Sequence, residues 1–372
     1  MPEKRKPFRA DQVGSLLKGD AVKTARTKFD KGELPAAEFR KIQDDAIVRA
    51  IKLQESAGMQ AVTDGEIRRR FWHVDFLTAI DGVEATQSNY AVSFKGEHGE
   101  QAATSSMMVV RKKLSRPKPI QLADFQFLKA NTTHTPKVCI PSATYMHLRG
   151  GRKVVPASIY ANEGEFWADL AKVYHAEMRD LAAAGLTYLQ IDDVSYAFLC
   201  DPNLSHQIEA DGMDPKALPM QYTNAINSWI AGRPEGMAIT VHTCRGNHKS
   251  MWMAEGGYEP VAEAIFAIKA DGFFLEFDTD RAGGFEPLRY APKDKRVVLG
   301  LISTKKPRLE SKDGLKRRID QAAKFFPLEN LCLSPQCGFS STPVGNDLTE
   351  DEEKRKLQLV AEVAREVWGT SV

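Results

Sequence analysis

A chain of 372 residues, 42% hydrophobic and 27% charged, has ordinary globular composition and suits either two medium domains or one large α/β barrel. Its 51 basic and 49 acidic side chains leave a net charge of +2, which gives no electrostatic case for a nucleic-acid or membrane-surface partner. The opening MPEKRKPFRADQVG lacks the apolar segment of a secretory signal, no run is long enough to span a bilayer, and five scattered cysteines point to the reducing cytosol.

In chain order, short apolar runs read as strands near residues 12–14, 60–64, 138–141, 188–192, 238–242, 273–277, 297–301 and 331–334. Amphipathic stretches over 36–57, 163–184, 260–270 and 315–326 lie between them. Ser56-Ala57-Gly58 and Ala183-Ala184-Gly185 read as helix stops, with Gly supplying the left-handed residue. Thr349-Glu350-Asp351-Glu352 is a capping box for a last helix that closes at Gly369. Strands alternating with helices predict an α/β fold, and eight such units predict a (β/α)8 TIM barrel. Residues 81–136 break the alternation after the second strand, being polar and carrying Gly96, Gly99 and the run SRPKP. They read as an insertion on the catalytic face, a hairpin plus a short helix, within a single domain spanning 1–372.

Side chains at the C-terminal ends of barrel strands converge on one mouth. There the sequence places Asp64-Gly65-Glu66, Asp192-Asp193, His242-Thr243-Cys244, Glu276 and, beyond the eighth strand, Cys337. Imidazole, thiolate and carboxylate form a donor set suited to zinc. Residues two apart on a strand face the same side, so His242 and Cys244 can share one metal. On spacing alone, the pair is better read as a satisfied core histidine and a small buried thiol. Cys332 lies within a strand and reads as core. Structural zinc draws on closely spaced cysteine pairs, whereas these candidates come from distant segments, the pattern of a catalytic metal. Zinc bound to a substrate thiol holds it as the nucleophilic thiolate at neutral pH.

Five ordered motifs then resemble one family: VGSLL at 13–17, DGE at 64–66, QIDD at 190–193, HTC at 242–244 and SPQCG at 334–338. They are similar to the cobalamin-independent methionine synthases, and most to the short, single-barrel bacterial relatives. The likeness runs nearly end to end, through LCDP at 199–202, CRGN at 244–247 and AEGGYEPVAEA at 254–264. The resemblance implies zinc on His242, Cys244, Glu276 and Cys337, with Gly14 and Ser15 holding the homocysteine carboxylate and Glu66 and Asp192 its ammonium group. It implies transfer of a methyl group to homocysteine, giving methionine, from methyltetrahydrofolate, with a corrinoid as the alternative donor; the expected location is cytoplasmic, and homo-oligomers are an open expectation.

Two departures stand out. The length leaves no room for the second, N-terminal barrel that helps methionine synthases of this type to bind folate polyglutamate. Their proton-donating His corresponds here to Lys305, in Thr304-Lys305-Lys306-Pro307-Arg308, so the acid that releases tetrahydrofolate is missing or altered, Lys305 is the candidate catalytic residue in its place, and the methyl donor stays open. Alternatives are alkyl transfer to another thiol, as in epoxyalkane:coenzyme M transferase, and a non-catalytic zinc- or corrinoid-binding partner protein. Trp72 and Trp252 are candidates for stacking on a flat donor ring, although packing explains an aromatic residue equally well.

Overall fold

A computed structural model describes residues 5–86, 91–96, 99–104 and 106–372. Val138–Pro141, Tyr188–Asp193, Ala238–Thr243, Gly272–Glu276, Arg296–Ile302 and Leu331–Pro335 lie side by side in that order in one sheet. Every pairing in it is parallel. The strands are buried almost throughout. Burial on both faces is why they read as continuous apolar runs rather than as an alternating pattern.

The ladder continues past both ends of this sheet. Thr135–Pro136 pairs in parallel with Ala61–Val62, and the Lys137 N–H donates to the Val62 carbonyl at 2.8 Å. On the other side Ala10 bridges Leu333, with the Asp11 N–H on the Leu333 carbonyl at 3.0 Å. Eight parallel staves thus curve back to their start. Side chains fasten the remaining seam: Gln12 Nε2 donates to Gln54 Oε1 at 3.0 Å, and Thr63 Oγ1 to the Gly14 carbonyl at 2.6 Å. The architecture is the (β/α)8 TIM barrel that the alternation predicts.

Helices clothe the staves by burying one stripe each. Glu163–Ala183 starts at Asn162, whose side chain accepts the Glu165 N–H, and buries Phe166, Leu170, Val173 and Tyr174 at helical spacing. Tyr174 stacks at 4.4 Å on Trp229 of the helix Leu218–Ile230. Glu350–Trp368 has the reciprocal capping box of Thr349 and Glu352 and ends at Gly369 with φ 72°. The helix expected over 260–270 is shorter, a 3-10 turn at Glu259–Val261 leading into Ala262–Phe266.

In the segment 81–136, Asp81–Thr86 pairs antiparallel with Met107–Ser115, and Ala91–Gly96 with Gly99–Thr104. The helix Leu122–Ala130 follows. The hairpin reaches the barrel mouth, where Lys95 and Trp252 exchange main-chain hydrogen bonds at 2.6 and 2.9 Å. The Phe94 ring lies 5.0 Å from that of His248.

Candidate metal and substrate site

His242 is the penultimate residue of Ala238–Thr243, Cys244 follows that strand directly, Glu276 closes the next strand, and Cys337 follows Leu331–Pro335. All four are buried, and one ligand atom from each lies within 4.8 Å of every other. The Cys244 and Cys337 sulfurs are 3.3 Å apart without forming a disulfide. Backbone and guanidinium groups hold the carboxylate. The Arg245 N–H donates to Glu276 Oε1 at 2.9 Å, and Arg281 to Oε2 at 3.3 Å.

The electrostatics follow from this crowding. The hydrogen bond from Cys244, with His242 beside it, draws the Cys337 thiol well below its ordinary range. The same bond, together with burial, pushes Cys244 well up. Burial also raises Glu276. It works against a charge on His242, yet Cys337, Asp192 and Glu276 together leave that ring more basic than usual. Neither His242 nitrogen has a well-formed hydrogen bond. Two sulfurs, an imidazole and a carboxylate, buried together with the imidazole poorly satisfied, match the donor types that zinc prefers.

A second group adjoins it. Glu66, Cys139 and Asp192 bring ligand-type atoms within 4.8 Å of one another. Asp192 is the lateral neighbour of His242 in the sheet, so the two clusters share a wall. Glu66 occupies a left-handed turn, φ 56°, after Gly65 at φ 66°. That conformation costs a non-glycine residue about 1–2 kcal/mol and marks a position fixed for a purpose. Burial raises Glu66 to about 7 and Asp192 to about 6, even with Arg69 at 3.4 Å from Glu66. Two carboxyls poised near neutrality suit a ligand that brings a positive charge.

Gly14 and Ser15 border this group. A Cβ on Gly14, φ 145°, would lie 2.6 Å from Cys139 Sγ and 3.2 Å from Glu66 Oε1, so only glycine lets the chain approach so closely. Ser15 Oγ accepts the Ser340 N–H at 3.3 Å. Gln190 Nε2 ties Asp192 Oδ1 at 2.7 Å to the Val13 carbonyl at 2.6 Å. Lys305 donates to Asn247 Oδ1 at 2.8 Å and to the Met251 carbonyl at 3.2 Å, and its charge reaches Cys244, Glu276 and Cys337, acting to lower each. Asp193 serves as a cap, its Oδ1 accepting the Ser195 N–H at 2.6 Å.

The family model described as cobalamin-independent synthase, catalytic domain, matches residues 8–366. The chain belongs to this family. The chain is also similar to the uncharacterized protein YxjG of Bacillus subtilis, 42% identical over 99% of this chain and 97% of that one. A Listeria monocytogenes structure of the vitamin-B12-independent methionine synthase type covers 98% of this chain and 99% of its own, with 34% identity and a TM-score of 0.76. The 5-methyltetrahydropteroyltriglutamate–homocysteine methyltransferase of Thermotoga maritima is 21% identical over 90% of the chain, which spans only 42% of that enzyme's length.

Around this synthase-family centre lie residues that sequence reasoning missed. Cys139 joins Glu66 and Asp192, and Arg69 reaches both Glu66 and the Cys139 carbonyl. Lys18, lowered to about 8 mainly by burial, donates to the Arg69 carbonyl. Cys139 stands within the strand Val138–Pro141, and its inward position there is the signal that finds it. Arg281 had none, because its contact with Glu276 depends on how the loop after that strand turns. Among the described residues, no helix is long and apolar enough to cross a membrane.

Proposed function

We propose that the protein is a zinc-dependent methyltransferase that converts homocysteine to methionine, acting as one catalytic domain whose segment 81–136 shapes the mouth. The observation that carries this reading is the juxtaposition of the two clusters. A buried His242–Cys244–Glu276–Cys337 group stands one strand away from a Glu66–Asp192 carboxylate pair. An amino-acid thiol needs both, one for its sulfur and one for its ammonium group.

His242, Cys244, Glu276 and Cys337 would hold the zinc, which supplies a charge that keeps an incoming thiol as its thiolate. Arg281 and the Arg245 N–H keep the Glu276 carboxylate aimed. Glu66 and Asp192 receive the ammonium group, and the turn at Gly14 and Ser15 accommodates the carboxylate. In the transfer the substrate sulfur supplies an electron pair to the methyl carbon. The sulfur–carbon bond forms as the bond from methyl to donor breaks, and that electron pair stays with the donor; a folate donor then takes up a proton on the nitrogen that lost the methyl group, whereas a corrinoid keeps the pair on its metal. Lys305 is this chain's candidate for delivering the proton. Alkyl transfer to a sulfonate thiol is the weaker reading, because a sulfonate would meet two carboxylates where an ammonium meets two partners.

The test is metal analysis of the purified protein beside a homocysteine assay with methyltetrahydrofolate and a methylated corrinoid in parallel. About one zinc per chain and methionine formed from one donor are expected. Protein without zinc, or no methionine from either donor, would sink the reading.

A further inference from the structure

The chain turns sharply at Gly65 and Glu66, and the Arg69 N–H closes that turn on the Glu66 carbonyl at 3.1 Å. Three residues past Glu66, the Arg69 side chain folds back over the same turn and brings Nη1 to 3.4 Å from Glu66 Oε1. Both side chains are buried. Nη1 makes no well-formed hydrogen bond, so charge rather than a directed bond joins the pair. A buried guanidinium placed this way needs to be held from its other end.

That hold comes from outside the site. Arg69 Nη2 donates to Gln121 Oε1 at 3.0 Å and also to the Cys139 carbonyl. Gln121 belongs to the segment 81–136 and is itself pinned, its N–H donating to Glu177 Oε1 at 2.7 Å. Glu177 is fully buried on the helix Glu163–Ala183 and accepts the Ile120 N–H at 3.0 Å and Arg116 Nε at 2.6 Å. The run SRPKP thus acquires a task. Its Arg116 fastens the insertion to the helix, and Gln121 carries that anchor on to Arg69.

The charges facing Glu66 show what Arg69 does there. Burial, Asp192 and Asp64 all work against an anion on Glu66, while Arg69 and, less strongly, Lys18 favour one. Lys18 is itself lowered to about 8 by burial and loses its charge in mild alkali, whereas an arginine stays charged throughout. Arg69 also acts to hold the Asp192 carboxyl down. Burial keeps the third member of the cluster, Cys139, a neutral thiol. An ammonium ligand is attracted to these carboxyls only when they are ionised, and Arg69 is the permanent cation that favours that state.

We propose that Arg69 is a positioning residue for the amino-acid thiol: anchored through Gln121 to the insertion, it holds the Glu66 carboxylate in place, and in its anionic form, for the substrate ammonium group. This rests on the reading of Glu66 and Asp192 as the ammonium site. The insertion then takes part in recognising the thiol substrate as well as in shaping the mouth.

Calorimetry with methionine, and with methionine lacking its amino group, tests this between about pH 5 and about pH 9 without turnover. Wild type is expected to prefer methionine at least about tenfold near neutrality. Arg69→Met has no charge to offer, so the midpoint of the methionine pH dependence should move up by about one unit, with affinity near pH 7 falling about tenfold. The desamino compound should bind within about threefold of wild type, and zinc content should not change. Arg69→Lys, which restores the charge, should recover most of the methionine affinity. Gln121→Leu keeps the guanidinium but frees it, and should weaken methionine about threefold with little effect on the desamino compound. An unmoved midpoint in Arg69→Met, equal losses for the two ligands, or full methionine affinity in Gln121→Leu overturns the proposal. Should Arg69→Met fail to fold, Gln121→Leu decides alone. A wild type that binds both ligands equally well overturns the ammonium reading itself, and this role of Arg69 with it.

Discussion

Asp192 and His242 are lateral neighbours on adjacent parallel strands, and through them the carboxylate pair and the sulfur cluster become one site. The contact is electrostatic as well as spatial. Asp192 is among the groups that raise the His242 imidazole, and His242 is the foremost charge holding the Asp192 carboxyl down against its burial. A molecule bridging them carries its thiol and its ammonium group a few bonds apart, which describes an amino-acid thiol.

The metal reading predicts graded losses. Cys337→Ser replaces a soft donor with a poor one and should leave protein purified with well under one zinc per chain. Arg281→Met removes a hydrogen bond to Glu276 without touching the donor set, and should weaken zinc roughly 10–100-fold, as outer-shell changes do. Chelator competition measures both. Equal zinc affinity in wild type and Cys337→Ser would remove Cys337 from the centre.

Glu66 predicts how amino-acid binding depends on pH. Its carboxyl, raised to about 7 by burial, is ionised above that value and protonated below it. An ammonium ligand favours the ionised form, so binding pulls the carboxyl back towards its ordinary range and releases a proton near and below neutrality. Affinity for methionine, which brings the ammonium group without a thiol, should therefore fall as pH drops from about 7 to about 5. Calorimetry in buffers of different ionisation enthalpy reads the released proton directly. Glu66→Gln should bind more weakly and lose most of this dependence, while an unaltered pH profile in that variant would take Glu66 out of the ammonium site.

Much of this was legible in the sequence for identifiable reasons. Strands 188–192 and 238–242 stood out because parallel strands covered on both faces are apolar throughout. Barrel geometry then sends whatever polar residues end such strands to one mouth. The first stave was less legible. Around residues 12–14 the main-chain carbonyls are taken by side chains, those of Thr63, Gln190 and Cys139, rather than by a neighbouring strand. The helix Pro202–Ala210 carries its own signal in the sequence, since Asp201 caps it and Pro202 sits at its first turn. Arg281 carried no signal, because its place depends on how a loop folds over a finished barrel.

Gly14 gives a steric prediction. An alanine there would place its Cβ 2.6 Å from the Cys139 sulfur and force φ 145° on a residue that avoids it. Either Cys139 or the backbone must shift, and Glu66 lies next in line at 3.2 Å. Gly14→Ala should lower stability by about 1–3 kcal/mol and weaken methionine binding more than it weakens zinc. Thermal unfolding and calorimetry measure the two losses. Normal methionine affinity in a stably folded variant would show that this close approach is unimportant to the ligand.

Glu353 ties stability to pH. On the last helix its Oε1 accepts the Leu17 N–H at 2.9 Å in a fully buried position, and burial raises its carboxyl from 4.5 to about 8. The folded protein thus keeps a proton that the unfolded chain gives up between about pH 4.5 and pH 8. Over that window the native state binds more protons, so stability falls as pH rises, and the loss is complete only above about pH 8. At roughly 1.4 kcal/mol per pH unit the effect reaches a few kcal/mol. Glu353→Gln keeps the carbonyl acceptor for Leu17 and has no proton to lose. Its melting temperature should therefore match wild type near pH 5 and exceed it by several degrees near pH 8. The same gap at both pH values would mean that Glu353 keeps its charge when buried, and that the helix is held there by other contacts.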